Sequence, residues 1–417
     1  MKAPLICDIE TVGDPFSGKV VTLGWRQLHE PRGHVEAVGH LERAVPYPDD
    51  LLEMMADPRR PFVSFTKYDA RFLRLSGVEV TGPFYDIQDM CYLDNENQSL
   101  SLERTAWRYL HLEMDKRIKV RKRQVFFTCD DGQLVPIDEA PLDQLYKYNM
   151  GDVDAEHDLF DEMWERLASG GWLDYFLEER VPFTAVLVNV ECRGLPVDLE
   201  RTAQFTKEME AEHARFHGEL YAEAELPETF NINSPDQMAS YLYHKTFELT
   251  DQLPIPVDVQ ECARQSTRKA FVCRAEHTDR AQCKSFQPPD GFTVDKLART
   301  YAHGRWTLRG RGLRPSVKTD SGKWSVSRPA LKVNYHTAAD PWVQKLLEYR
   351  SIDKLLTTYL RVFPERAVNG RIYGRFNSTG TKTGRLSSSE PNLQNIPSHG
   401  ELGPRTRDLF RPRGVAA

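Results

Sequence analysis

Residues 5–11, Leu-Ile-Cys-Asp-Ile-Glu-Thr, place two carboxylates two positions apart at the end of an apolar run. The run has the length and composition of a short buried strand, and strand alternation puts Asp8 and Glu10 on one face. A sheet that takes up this strand must therefore bring two negative charges to one spot, which is costly unless a turn, solvent or a cation receives them. Alone, the pair fits a turn as well as a metal site. Two further segments bear on that choice. Phe62-Val-Ser-Phe-Thr-Lys-Tyr-Asp69-Ala-Arg-Phe-Leu73 reads as an apolar strand running into a helix with Asp69 in its first turn. Tyr148-Asn-Met-Gly-Asp152-Val-Asp-Ala-Glu-His-Asp-Leu159 reads as a helix on which Tyr148 and Asp152, four apart, share a face.

In order and spacing the three segments resemble the motifs of the DEDD-type 3′ to 5′ proofreading exonucleases, in the variant with a tyrosine. The resemblance implies that Asp8, Glu10, Asp69 and Asp152 hold two Mg²⁺ ions, with Mn²⁺ as a substitute. Oxygen ligands suit such hard cations, and two ions about 4 Å apart would activate a water and stabilise the leaving 3′ oxygen. Tyr148 would orient that water by hydrogen bonding. The neighbours Asp154, Glu156 and Asp158 are expected on a solvated helix face. One position departs from the family: Phe65 stands where an asparagine is usual, four residues before Asp69, which bears on exonuclease efficiency more than on metal binding. Strand-like Lys19–Trp25 and His34–His40 and helix-like Ser101–Leu110 complete the pattern of a mixed sheet with helices packed on it. The expected fold of residues 1–172 is thus an α/β, RNase H-like exonuclease domain. The basic run Lys116–Arg123 fits either a contact to single-stranded DNA or a solvated loop.

Charge divides the chain. Residues 1–260 hold 26 Lys and Arg against 48 Asp and Glu, and residues 261–417 hold 29 against 13. The basic C-terminal part suits a polyanion, bound in a salt-dependent way. With 40% apolar residues the chain of 417 can build two or three domain cores and is not a disordered composition. No apolar run approaches the ~18 residues of a membrane span, and the N-terminus turns acidic at once, unlike a secretory signal. A cytoplasmic protein that does not enter the membrane is expected. Seven cysteines are an odd number; Cys7, Cys91, Cys129 and Cys192 read as reduced thiols. Cys262, Cys273, His277 and Cys283 supply the number and type of ligands of a structural Zn²⁺, although the first spacing is not that of a familiar zinc finger; unrelated thiols in a loop are the alternative.

From about residue 173 helical patterns dominate. Glu179–Glu191 has an apolar face stopped by Gly194, Asp198 caps a long charged helix to about Glu225, and Ser234-Pro-Asp-Gln237 has the form of a capping box. Gly370–Phe376 reads as a strand. The chain then enters Thr381-Lys-Thr-Gly-Arg-Leu-Ser-Ser-Ser-Glu-Pro-Asn-Leu-Gln-Asn-Ile-Pro397, followed by Arg407-Asp-Leu-Phe410. This run resembles the segment that leads into the palm of family A DNA polymerases, and the helices before it resemble that family's thumb. The resemblance implies a mostly α-helical thumb over 173–362, with an insertion at about 251–315, and an incomplete palm over 363–417. It also implies that Arg350 and Lys354 contact the primer-template backbone, that Arg385 reaches the minor groove near the primer terminus, and that Thr381, Asn392, Gln394 and Asn395 bind along the duplex, where amides meet the common minor-groove acceptors. The expected protein is the phage-like N-terminal polypeptide of a split or truncated family A DNA polymerase. It would remove nucleotides from DNA and bind primer-template, with synthesis left to a second polypeptide carrying palm and fingers. Two rivals are a DNA-binding subunit whose exonuclease site has decayed and a DEDD exonuclease that processes RNA.

Overall fold

The computed structural model describes residues 2–13, 15–16, 18–41, 44–121, 124–254, 292–294 and 301–410. The apolar run at the N-terminus forms β1 (Leu5–Val12), the middle strand of a five-stranded sheet. β2 (Lys19–Gln27) and β3 (His34–Glu36) extend it antiparallel on one side, and β4 (Phe62–Ser64) and β5 (Phe84–Asp86) extend it parallel on the other, giving the order β3-β2-β1-β4-β5. The sheet is mixed, as expected. Its register with β2 shifts between Glu10 and Thr11. The extra residue, Val21, is on β2, so the irregularity lies opposite the end of the acidic pair.

Helices cover both faces, and strand parity sorts what they cover. Leu5, Cys7 and Ile9 pack with α1 (Asp49–Met55) and α2 (Tyr68–Leu75), through Leu51, Met55, Phe72 and Leu73. Ile6, on the opposite face, joins Val63 and Tyr85 beneath α3 (Ile87–Asp94), α4 (Leu102–Leu110) and α5 (Leu142–Gly170), against Met90, Ala106, Val153 and Phe160. Asp8 and Glu10 have the parity of Ile6, so they look toward α5. A small antiparallel sheet, β6 (Ile118–Arg121), β7 (Gln124–Thr128) and β8 (Leu134–Pro136), adds a third cluster in which Phe127 and Tyr148 meet Val21 of β2.

α5 ends at Gly171, which takes the left-handed conformation (φ 74°) that closes a helix. The short α6 (Leu173–Tyr175) and a π-helical turn at Phe176–Arg180 lead into α7 (Val181–Arg193). Gly194 stops α7 at φ 62°, and a Cβ there would lie 2.8 Å from the Tyr373 ring. The expected strand Gly370–Phe376 is instead two short pieces: Arg371–Ile372 pairs with Leu195–Pro196, and Arg375–Asn377 pairs with Ser387–Ser389. The break falls between Ile372 and Arg375, where each piece turns to a different partner.

Met1–Ala203 with Arg361–Ala417 group as one compact unit, and Gln204–Leu360 as another. In the second unit most of the helix Leu199–Ala224 carries the Trp342 indole N–H on the Leu220 carbonyl (3.0 Å), and Phe230, Tyr241, Phe247 and Trp342 form an aromatic core. Asp198 caps that helix through Glu200 and Arg201 N–H groups, as its sequence predicts. The capping box at Ser234 forms only in part. Ser234 accepts from Gln237 N–H, but the Gln237 side-chain oxygen reaches past Ser234 to Asn231 N–H (2.7 Å). The region expected to be helical, with an insertion, holds a three-stranded antiparallel sheet of Thr246–Pro254, Tyr301–Arg309 and Phe292–Val294. Cys262, Cys273, His277 and Cys283 lie outside the described residues.

Candidate metal centre

The face of β1 that looks toward α5 meets the Asn149 and Asp152 side chains of that helix. Carboxylate oxygens of Asp8, Glu10 and Asp152 lie within 4.8 Å of one another. Oxygen donors bind Mg²⁺ at about 2.0–2.1 Å and Ca²⁺ a few tenths further. Three carboxylates this close can therefore share one cation. Asn149, one turn before Asp152, donates its amide N–H to Asp8. Among the described residues no other group of three or more His, Cys, Asp or Glu side chains has this geometry.

Electrostatics makes the cluster costly without a counter-charge. Burial pushes the Asp8 carboxyl up to about 7, against the Asn149 hydrogen bond, which favours the ionised form. Burial and then the Asp8 charge push Asp152 up to about 8, opposed by the Tyr148 hydroxyl. Glu10 is raised well above the carboxylate range by burial and by Asp8, Asp152 and Asp69 in turn. The Tyr148 phenol is raised by burial and by the facing carboxylates. A donor set of hard oxygens with uncompensated charge fits divalent cations of the Mg²⁺ or Mn²⁺ kind.

Asp69 sits in the first turn of α2 and is buried beside this cluster, outside the set of three. Burial and then the Asp8 charge raise its pKa, against the nearby backbone N–H groups of Asp69 itself and of Ile9, between Asp8 and Glu10. Phe65 packs half-buried against the core under α3 and α5.

Two side chains at the site escape the motif-based reading. Asn149 is one. The other is Glu156, expected on a solvated face but fully buried, with neither carboxylate oxygen in a well-formed hydrogen bond. Burial and the charges of Asp8, Asp69 and Asp152 push its pKa well up, while the Phe65 N–H pulls the other way. The spacing that puts Tyr148 and Asp152 on one face continues to Glu156, and that was the available signal. Asp154 and Asp158 do face solvent, with Asp154 accepting from Arg26 (2.8 Å).

The positions expected to meet DNA fall in different surroundings. Arg350 is half-buried, donates to the Val326 carbonyl (2.6 Å), and has its pKa lowered by burial; Lys354 is exposed. Thr381 spends its hydroxyl on the Arg385 carbonyl (2.7 Å), leaving the Arg385 side chain exposed. Asn392 uses its amide oxygen to accept from the Gln394 and Asn395 N–H groups (both 3.1 Å), which folds the segment into a turn. Gln394 and Asn395 are exposed there.

A mixed α/β unit with an acidic centre is thus followed by helices and a Ser/Gly-rich run, and the chain is similar to known proteins along its length. Residues 307–416 match DNA polymerase family A. The thermostable DNA polymerase I of Thermus filiformis is 31% identical over 256 residues, 60% of this chain and 22% of that protein. DNA polymerase I of Rhizobium leguminosarum is 25% identical over 415 residues, 96% of this chain and 33% of that protein. The POL domain of Pol1 from M. smegmatis, solved in complex with DNA primer-template and dNTP, superposes with a TM-score of 0.66 at 21% identity, covering 99% of this chain and 56% of that one. The resemblance to family A DNA polymerases is thereby shown, and the chain spans a fifth to a third of the length of these two curated relatives. Among the described residues no helix is long and apolar enough to cross a membrane.

Proposed function

We propose that this chain is a metal-dependent 3′ to 5′ exonuclease acting on DNA, of the DEDD type with a tyrosine, joined to a region that binds primer-template. The observation that carries the reading is the convergence of Asp8, Glu10 and Asp152 on one point with their pKa values raised. The sheet order, three antiparallel strands followed by two parallel ones, supports an RNase H-like fold for this unit. The named complex of the M. smegmatis neighbour with primer-template supports DNA as the polymer that this chain meets.

Asp8, Glu10 and Asp152, with Asp69 beside them, would hold two Mg²⁺ or Mn²⁺ ions. When bound, such ions supply Lewis-acid activation of water and stabilise the leaving oxygen. The chain's own groups do the rest. Asn149 fixes the Asp8 carboxylate, and Tyr148 stays a neutral donor whose hydroxyl is held toward Asp152 and can orient water.

A 5′-labelled single-stranded DNA oligonucleotide incubated with Mg²⁺ or Mn²⁺ should shorten from its 3′ end, and Asp8→Ala with Glu10→Ala should abolish the shortening. Degradation that survives this double substitution would refute the site. Faster shortening of RNA than of DNA would favour the RNA-processing alternative. A wild-type protein that retards DNA in a gel and shortens nothing would favour the decayed site, for which the apolar Phe65 is the motivating observation.

A further inference from the structure

Glu191 is a buried carboxylate that the acidic centre does not contain, and from α7 it makes three contacts to two other segments. One oxygen accepts from Lys67 Nζ (2.7 Å) and from the Phe376 backbone N–H (2.6 Å), and the other lies 3.3 Å from Arg71 Nε. The Arg71 contact is an ion pair without an aligned hydrogen bond. Lys67 and Arg71 sit two residues before and two after Asp69, so both cations that bracket Asp69 on α2 are tied to one point on α7. A second link runs parallel. The Arg375 guanidinium lies 5.1 Å from the Tyr68 ring centroid, and the Tyr68 hydroxyl pairs with Thr11 Oγ1 (3.1 Å), next to Glu10 at the register shift. The strand Arg375–Asn377 thus braces the first turn of α2 and, through Tyr68, the end of β1.

Because α2 is only eight residues long, its first turn has little helix of its own to hold it. Outer contacts must therefore fix where Asp69 points. We propose that Glu191 is a positioning residue for the metal centre: through Lys67 and Arg71 it fixes Asp69, with the Phe376 backbone as its third attachment. The proposal rests on the exonuclease reading only in taking Asp69 as part of that centre. Loss of a contact that orients a metal ligand typically weakens metal affinity ten- to a hundredfold.

The test measures Mn²⁺ binding to the full chain by electron paramagnetic resonance, alongside hydrolysis of the labelled oligonucleotide. Glu191→Ala should weaken Asp8-dependent Mn²⁺ binding about tenfold. It should raise the metal concentration for half-maximal hydrolysis by a similar factor and leave the oligonucleotide KM unchanged. Glu191→Gln, which can still accept from Lys67 and Phe376, should recover most of the affinity. Leu51→Ala, a core substitution on α1, is the control for general destabilisation and should melt earlier with Mn²⁺ affinity intact. Unchanged Mn²⁺ affinity in Glu191→Ala, or an equal loss in Leu51→Ala, overturns the proposal, as does a wild type that binds no Mn²⁺ through Asp8. If the wild type binds Mn²⁺ through Asp8 yet hydrolyses nothing, the exonuclease reading fails and the Mn²⁺ titration still decides the role of Glu191.

Discussion

Replacing Asp89 by alanine should destabilise the unit that carries the acidic centre by about 3–5 kcal/mol, the cost of breaking a buried ion pair by removing one partner. Asp89 is 1% exposed and anchors three donors: the Arg180 guanidinium, the Thr184 hydroxyl (3.0 Å) and the Ser378 hydroxyl (2.9 Å). The Arg180 side chain is 9% exposed and lies beside the Tyr92 and Phe183 rings, with its guanidinium carbon 5.7 and 5.9 Å from their centroids. Those faces attract a cation, but by ~0.5–2 kcal/mol, too little to replace a carboxylate. The two hydroxyls would lose an acceptor as well, at about 1 kcal/mol each if no water replaces it; these terms overlap with the first rather than adding to it. At roughly 2–4 °C per kcal/mol for a unit of this size, the melting temperature should fall by about 6–20 °C. Thermal unfolding followed by circular dichroism measures it. The double variant Asp89→Leu with Arg180→Met removes both charges, and should be markedly more stable than Asp89→Ala because replacing a buried pair by apolar groups is often near neutral. A single variant within ~1 kcal/mol of wild type, or a double variant no better than the single, would refute the assignment of the cost to an abandoned guanidinium.

In EDTA the protein should lose stability as pH rises. Asp8 and Asp152 are held up to about 7 and about 8 in the fold from ordinary values of 3.8, so the folded form holds their protons after the unfolded form has released them. The loss accumulates from pH ~4 upward until those folded values are passed, at up to about 1.4 kcal/mol per pH unit per group. Melting curves between pH 5 and 8 should slope less steeply in Asp8→Asn, and Mg²⁺, which binds the ionised form, should reverse the wild-type trend. Tyr148→Phe should slow hydrolysis roughly a hundredfold, the lower end for a positioned acid–base group, at little cost in oligonucleotide KM; an unchanged single-turnover rate would remove Tyr148 from the water-orienting role. Arg385→Ala should weaken primer-template binding for all sequences alike and lower the slope of log affinity against log salt by about 1, as fluorescence anisotropy across a salt series would show. The same substitution with no change in affinity or salt slope would place Arg385 away from the DNA.

The sequence by itself determined the elements that depend on neighbours in the chain. Alternation at residues 5–11 gave β1 and the shared face of Asp8 and Glu10, while helical spacing put Tyr148 and Asp152 together on α5. Local capping chemistry placed Asp198 at its helix start, and Gly194 ended α7 because its φ of 62° suits a residue without a side chain. The family resemblance was equally legible, because the run Thr381–Pro397 is specific in a way that composition is not. What the tertiary structure decided was every relation between distant segments. Parity alone cannot say that Asp8 faces α5; that depends on which helix covers which side of the sheet, and it is this packing that brings Asn149 and Asp152 to β1 and buries Glu156. The strand expected at Gly370–Phe376 split for the same reason, since Leu195–Pro196 and Ser387–Ser389 compete for its two ends. Nothing local in the sequence sets Glu191 and Asp89 apart; the fold surrounds them with Lys67, Arg71 and Phe376 in one case and Arg180, Thr184 and Ser378 in the other. A carboxylate's role follows from whether water or a cation faces it, and only the folded chain sets that neighbour.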